Sequence, residues 1–86
     1  MKHFTHPRFW VAYNALPASI RAVADKNYAL LAGNQSHPSL RLKRVGPYWS
    51  VRAGGGYRAL AVEAEDGLVW FWIGPHDAYD KLIRRQ

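Results

Sequence analysis

The sequence of 86 residues predicts an α+β domain: an N-terminal helical hairpin packed on a small twisted, mainly antiparallel four-stranded sheet, followed by a short C-terminal helix. Three observations carry this prediction. Apolar residues recur at helical spacing as far as Gly33 and at a spacing of two beyond His37-Pro38. Glycine- and proline-bearing turns at Gly46-Pro47, Gly54-Gly55-Gly56 and Glu65-Asp66-Gly67 cut the second half into short strands. The length suits a single domain, 1–86, with a small core, and a 14% aromatic content lets a few side chains bury much of the available surface.

Each element follows from local chemistry. Thr5-His6-Pro7 marks a helix start, with Thr5 or His6 at the cap and Pro7 in the first turn. Phe9, Trp10, Tyr13 and Leu16 then recur at helical spacing. Pro17 ends this helix and opens a second, whose stripe of Ile20, Val23, Ala24, Leu30 and Leu31 is interrupted by Asn27 and stopped at Gly33-Asn34. In Ser39–Val45, Leu40 and Leu42 face one way while Arg41 and Lys43 face the other. A two-residue loop at Gly46-Pro47 sets Leu42 opposite Val51, Lys43 opposite Ser50 and Arg41 opposite Arg52. Opposed arginines repel, so a face that gathers them is expected to hold an anion.

The triple glycine reads as a turn into Tyr57–Ala64; a regular hairpin there places Arg58 beside Arg52, and a bulge would move it. No Lys-Ser/Thr follows the glycines as in a phosphate-binding P-loop. Leu68–Ile73 lacks alternation and is expected to be central and covered on both faces. A terminal helix from Pro75 to Arg85 docks through Leu82 and Ile83, and Arg84-Arg85 form a solvated tail. Trp10, Trp49, Trp70 and Trp72 are read as core, and Tyr13 and Tyr28 as helix-face packing.

A net charge of +6 and a pI of about 10.1 point to an anionic partner, nucleic acid first and an acidic protein second. Arg41, Lys43, Arg44, Arg52 and Arg58 crowd the middle of the chain. With no cysteine there is no disulfide and no thiolate metal site, and a reducing compartment fits. His3, His6 and His37 lack metal-ligand spacing, so neither metal nor cofactor is expected. The stretch from Met1 to Pro7 lacks the apolar core of a signal peptide. The run Leu68 to Ile73 is too short to span a bilayer. A cytoplasmic protein with no membrane contact is expected. His76 sits just past the greasy strand, where a rigid element holds it, with Tyr79 one helical turn on.

Two helices, an antiparallel sheet with a basic face and then His-x-x-Tyr-Asp-Lys resemble the RelE/ParE superfamily of bacterial toxins from type II toxin–antitoxin systems. The resemblance covers nearly the whole chain and rests on "HPSLRLKRV", "WSVRAGGGYRAL" and "WFWIGPHDAYDKL", the last looking most like the HigB-type branch. It implies a compact toxin neutralised by a cognate antitoxin protein. RelE-like and HigB-like members cleave mRNA in the ribosomal A site, whereas ParE-like members poison DNA gyrase. The nuclease members carry basic groups where Arg41 and Lys43 stand, an Arg at Arg52, a basic or imidazole group at His76, and an aromatic or acid/base group near Tyr79. The common His-Arg-x-x-x-Tyr ending is absent: Asp77 follows His76, and Tyr79 comes three residues after it.

Cleavage of RNA without a metal needs a group that takes the 2′-OH proton, cations around the charged phosphorane and an acid for the leaving 5′-oxygen. For an mRNA endonuclease, the expected catalytic residues are therefore Arg52, His76, Lys43 and Tyr79, with Arg41, Arg58 and Arg44 binding RNA phosphate. Arg52 and Arg41 offer forked contacts to the scissile phosphate. Lys43 adds charge or acts as a base. His76 transfers the proton, and Tyr79 stacks on a base or orients His76. A gyrase inhibitor acting through the exposed hairpin face, or an inactive binding module of the same fold, stand as alternatives.

Overall fold

The computed structural model describes residues 2–34 and 36–84; the expected helix end at Arg85 lies outside them. In chain order the elements are β1 (Lys2–Thr5), α1 (Pro7–Asn14), α2 (Ala18–Gly33), one 3₁₀ turn (Pro38–Leu40), β2 (Lys43–Val45), β3 (Tyr48–Gly54), β4 (Tyr57–Ala64), β5 (Gly67–Pro75) and α3 (His76–Arg84). His6 caps α1, its Nδ1 accepting the Arg8 amide at 3.0 Å.

The sheet has five strands, in the order β1-β5-β4-β3-β2, rather than the expected four. All neighbours are antiparallel except β1, which runs parallel to β5 from Lys2 opposite Gly67 to Thr5 opposite Trp70. Four residues ahead of a helix carry too short an alternation to be read as a strand. By covering the free edge of β5, β1 makes that strand an inner one, as its composition suggests. The missing alternation in β5 has a local cause. Leu60 pairs with Trp72 and Ala61 with Trp70, so Phe71 is the extra residue of a β-bulge. Leu68, Trp70 and Ile73 therefore share the helix-covered face, and Val69, Phe71 and Trp72 the other.

On the first face α1 lies against β5 and α2 against β3. Leu16, Ala24, Leu31, Val51, Ala59, Ala61, Leu68, Trp70 and Ile73 form the core there, with Leu40 sealing it from the 3₁₀ turn. The two helices are joined by polar contacts. Arg21 donates to the carbonyls of Asn14 and Leu16 at the end of α1, and the Tyr13 hydroxyl donates to Asp25 at 2.7 Å. Burial corrects the reading of the tryptophans as core. Trp70 is buried and Trp49 and Trp72 are half-buried, but Trp10 is 46% exposed, its indole N–H donating to the Thr5 hydroxyl. Tyr28 is also exposed rather than packed.

A second correction concerns β2. Pro38, with His37 accepting the Ser39 amide, starts a 3₁₀ turn that drives Leu40 into the core. Arg41 ends that turn in a left-handed conformation, φ +49°, so the strand begins only at Lys43. Lys43 does pair with Ser50, as the alternation predicts, but Arg41 faces no strand partner and the expected Arg41–Arg52 and Leu42–Val51 pairs are absent. Gly46, at φ +59°, takes the first central position of the two-residue turn, where a type II′ hairpin needs glycine.

Helix α3 packs on the opposite face of β4 and β5. Tyr79, Leu60 and Ser50 are buried there, outside the main core. Gly74 lets the Trp72 indole lie flat across the backbone: a Cβ at Gly74 would stand 2.5 Å from Trp72 Cζ2. Gly74→Ala is therefore expected to cost about 1–3 kcal/mol through overpacking and to lower Tm by roughly 5 °C or more, measured by thermal unfolding.

Candidate functional site

The α3-bearing face carries its polar groups in two rows across the strands. Lys43, Ser50, Leu60 and Trp72 form one row. Arg52, Arg58 and Gly74 form the next, about 10 Å wide at the spacing of neighbouring strands. Arg58 thus stands directly opposite Arg52 despite a register shift between Arg52 and Gly54, and the opposed arginines of this sheet are Arg52 and Arg58.

Arg58 is the best-held of the cations. Its Nε donates to the fully buried Ser50 hydroxyl at 2.7 Å, and an Nη donates to the Arg41 carbonyl at 3.3 Å. Its guanidinium lies 5.4 Å from the centre of the Tyr79 ring, a cation–π distance. Burial pushes the Arg58 pKa down from its ordinary value. Tyr79 opposes that shift, and the charges of Arg52 and Arg41 add to it. Arginine keeps its proton under these conditions, so the repulsion is stored as a concentrated positive potential rather than relieved. Arg41 contributes to the site from the left-handed turn, not from a strand.

His76 is the first residue of α3, its amide donating to the Gly56 carbonyl at 2.8 Å. Its ring stacks on Tyr79 with centroids 5.6 Å apart, and its Nε2 lies 3.6 Å from an Asp80 carboxylate oxygen. Tyr79 is 3% exposed and in contact with both the His76 ring and the Arg58 guanidinium. So little of Tyr79 is exposed that a base would find no room on its ring.

The expected site residues divide cleanly. Arg52, Arg58, His76 and Tyr79 come together at one end of the sheet face, with Arg41 beside them. Lys43 is exposed on the edge strand of the same face, in the Ser50 row. Arg44 does not join them. It pairs with Trp49, stacks over that indole at 5.8 Å and bridges Glu63 at 2.9 Å, all on the other face. Its alternation places it there, since neighbours in a strand point to opposite sides. Sequence reasoning missed Ser50 and Asn27 as supports. Asn27, the break in the α2 stripe, donates to the Arg52 carbonyl at 3.3 Å and ties the end of β3 to the helix. Among the described residues no group of three or more His, Asp or Glu side chains is gathered as a metal site, and no helix is long and apolar enough to cross a membrane.

The opposite face opens between α1, α2 and the sheet into an apolar groove of about 640 Å³, rimmed by the exposed rings of Phe4, Trp10 and Tyr28. The hydrogen bond from Tyr13 to Asp25 raises the tyrosine pKa at its wall, with burial and the Asp25 charge adding to the rise.

No protein-family model matches the chain, and no curated protein matches it in sequence. Solved structures do match it in three dimensions. A chain of the RelB–RelE antitoxin–toxin complex from Methanococcus jannaschii superposes with a TM-score of 0.71 at 14% identity, covering 92% of this chain and 96% of that one. The isolated E. coli RelE toxin superposes with a TM-score of 0.62 at 12% identity, covering 96% and 95%. The fold is that of RelE along almost its whole length.

Because Ser50 is the buried acceptor for Arg58, Ser50→Ala is expected to leave a half-buried guanidinium N–H unpaired and to destabilise the domain by about 1–3 kcal/mol. Chemical denaturation reads the loss, and increased solvent exchange of the Arg58 Nε–H by NMR reads its cause.

Proposed function

We propose that the chain is the toxin of a toxin–antitoxin pair, an mRNA endonuclease that acts in the ribosomal A site and so blocks translation in the cytoplasm. The observation that carries this reading is the convergence of Arg52, Arg58 and Arg41 with the His76–Tyr79 stack at one end of an open sheet face. The RelE fold supports it. So does the +6 charge, which suits a ribosome-bound RNA target.

In this mechanism Arg52 and Arg58 grip the non-bridging oxygens of one phosphate, with Lys43 and Arg41 adding charge at the rim. The 2′-oxygen, losing its proton, attacks phosphorus; the bond to the 5′-oxygen breaks, and that oxygen takes a proton. The products are a 2′,3′-cyclic phosphate and a 5′-hydroxyl. His76 transfers the proton at one of these two steps and a solvent water at the other, and Tyr79 holds the His76 ring in place. Preorganised cations around the phosphorane supply the largest share of the rate. The chemistry calls on Arg, Lys, His and Tyr alone, so it proceeds without a metal or cofactor.

The antitoxin is the second partner in this reading. The apolar groove with its exposed Phe4, Trp10 and Tyr28 offers it a surface that meets the basic site at Arg52. The same exposed hairpin face is what favours a gyrase-directed reading.

Induced expression in a bacterial host lacking antitoxin, with mRNA 5′ ends mapped, distinguishes these. Growth arrest with new 5′ ends inside translated frames is expected. Arg52→Ala and His76→Ala are expected to reduce cleavage by about 10²-fold or more at equal protein level. Arrest with intact mRNA and induced DNA damage would favour gyrase, and no arrest would leave a binding module.

A further inference from the structure

The sheet face that carries the cations continues past them into an aromatic end that the mechanism does not use. Tyr48 stands four residues before Arg52 on β3, about 13 Å away along the strand. Its ring meets Phe71 with centroids 5.4 Å apart and planes tilted by 55°. Both rings are half-buried. With Val62, Val69, His6 and Arg8 they line an open hollow of about 340 Å³. This is at the small end of ligand-sized pockets, which begin at roughly 300 Å³.

Two further features tie the hollow to the basic row. The β5 bulge is what puts Phe71 on this face, alongside Trp72 rather than on the opposite side. The Trp72 indole then lies over Gly74, in the Arg52–Arg58 row. The face therefore runs from the Tyr48–Phe71 pair, past Trp72, to the arginines. The polar lining of the hollow is cationic or imidazole, His6 and Arg8, and contains no carboxylate.

We propose that the Tyr48–Phe71 pair is a base-stacking subsite for single-stranded RNA, taking an unpaired base a few nucleotides away from the phosphate held by Arg52 and Arg58. This rests on the nuclease reading and deepens it by giving the strand a direction across the sheet. Aromatic side chains interleaved with cations are how sheet surfaces bind single strands without reading sequence. Arg8 and His6 lie where the backbone of that nucleotide would pass. The hollow favours RNA over a protein partner because its polar lining is His6 and Arg8 and Tyr48 and Phe71 share the sheet face of Arg52 and Arg58, whereas the larger apolar groove lies on the other face with Arg52 as its one Arg or Lys.

The test compares a dinucleotide with a hexanucleotide of single-stranded RNA, both non-cleavable through 2′-O-methyl groups. Wild type, Tyr48→Leu/Phe71→Leu and Arg52→Ala are titrated with each. Leucine keeps apolar volume while removing the π-faces, and thermal unfolding checks the fold. The wild type is expected to bind the hexanucleotide more tightly than the dinucleotide, and the double leucine variant to lose about tenfold of that gain. In the wild type, hexanucleotide binding shifts the Tyr48 and Phe71 ring resonances, a readout independent of the variants. An unchanged gain with unmoved ring resonances would overturn the subsite, while loss of all binding in Arg52→Ala would leave the phosphate site standing. Failure of the wild type to bind the hexanucleotide would overturn the subsite, while the nuclease reading is judged separately by the mapping of mRNA 5′ ends on expression. Unaltered RNA binding by the leucine variant, together with loss of antitoxin binding, would reassign the hollow to a protein.

Discussion

The half-buried guanidinium of Arg58 is the interaction on which the α3-bearing face of the sheet depends. A cation taken part-way out of water needs compensation, and Arg58 finds it in three elements at once: the Ser50 hydroxyl on β3, the Arg41 carbonyl at the left-handed turn and the Tyr79 ring on α3. Each partner is thereby positioned. The turn that displaces Arg41 from its strand is latched to the sheet, and α3 is docked with His76 stacked on Tyr79. The opposed Arg52 is held in turn by Asn27 from the helix layer. A small domain has little core with which to fix such a cluster, and the neutral partners of Arg58 hold it against the repulsion of Arg52 and Arg41.

The two faces of the sheet divide the labour. One face is packed by α1 and α2 and ends in an apolar groove; the other is left open along β3, β4 and β5, with α3 at one end. Strand alternation sorts the arginines between them. Arg52 and Arg58 fall on the open face, and Arg44 falls on the packed one, where it pairs with Glu63 and lies over Trp49. The bulge at Phe71 is the exception to alternation, and it adds an aromatic ring to the open face.

Much of this was legible in the residues. The helix boundaries at Pro7, Pro17 and Gly33 follow from proline and capping chemistry, and the Lys43–Ser50 register follows from the two-residue turn at Gly46-Pro47. The stacking of His76 and Tyr79 follows from helical spacing. What was not legible depended on tertiary competition. Burial of Leu40, together with the Pro38 start, converted an apparently alternating strand into a 3₁₀ turn and moved Arg41. The bulge in β5 leaves no trace in composition, because Trp-Phe-Trp reads the same in either register. A four-residue parallel strand such as β1 has no signal of its own; it exists because β5 offers an edge. Trp10 is apolar at a core-like spacing, yet it lies at the groove rim with its indole N–H bonded to Thr5.

In the proposed nuclease the fork of Arg58, and not only its charge, builds the phosphate site. Lysine keeps the charge but cannot reach Ser50 and the Arg41 carbonyl together. The most direct measurement is therefore the single-turnover rate of mRNA cleavage on programmed ribosomes by Arg58→Lys beside wild type, at matched folding by circular dichroism. A fall of about 10²-fold or more is expected, and a rate equal to wild type would contradict the claim.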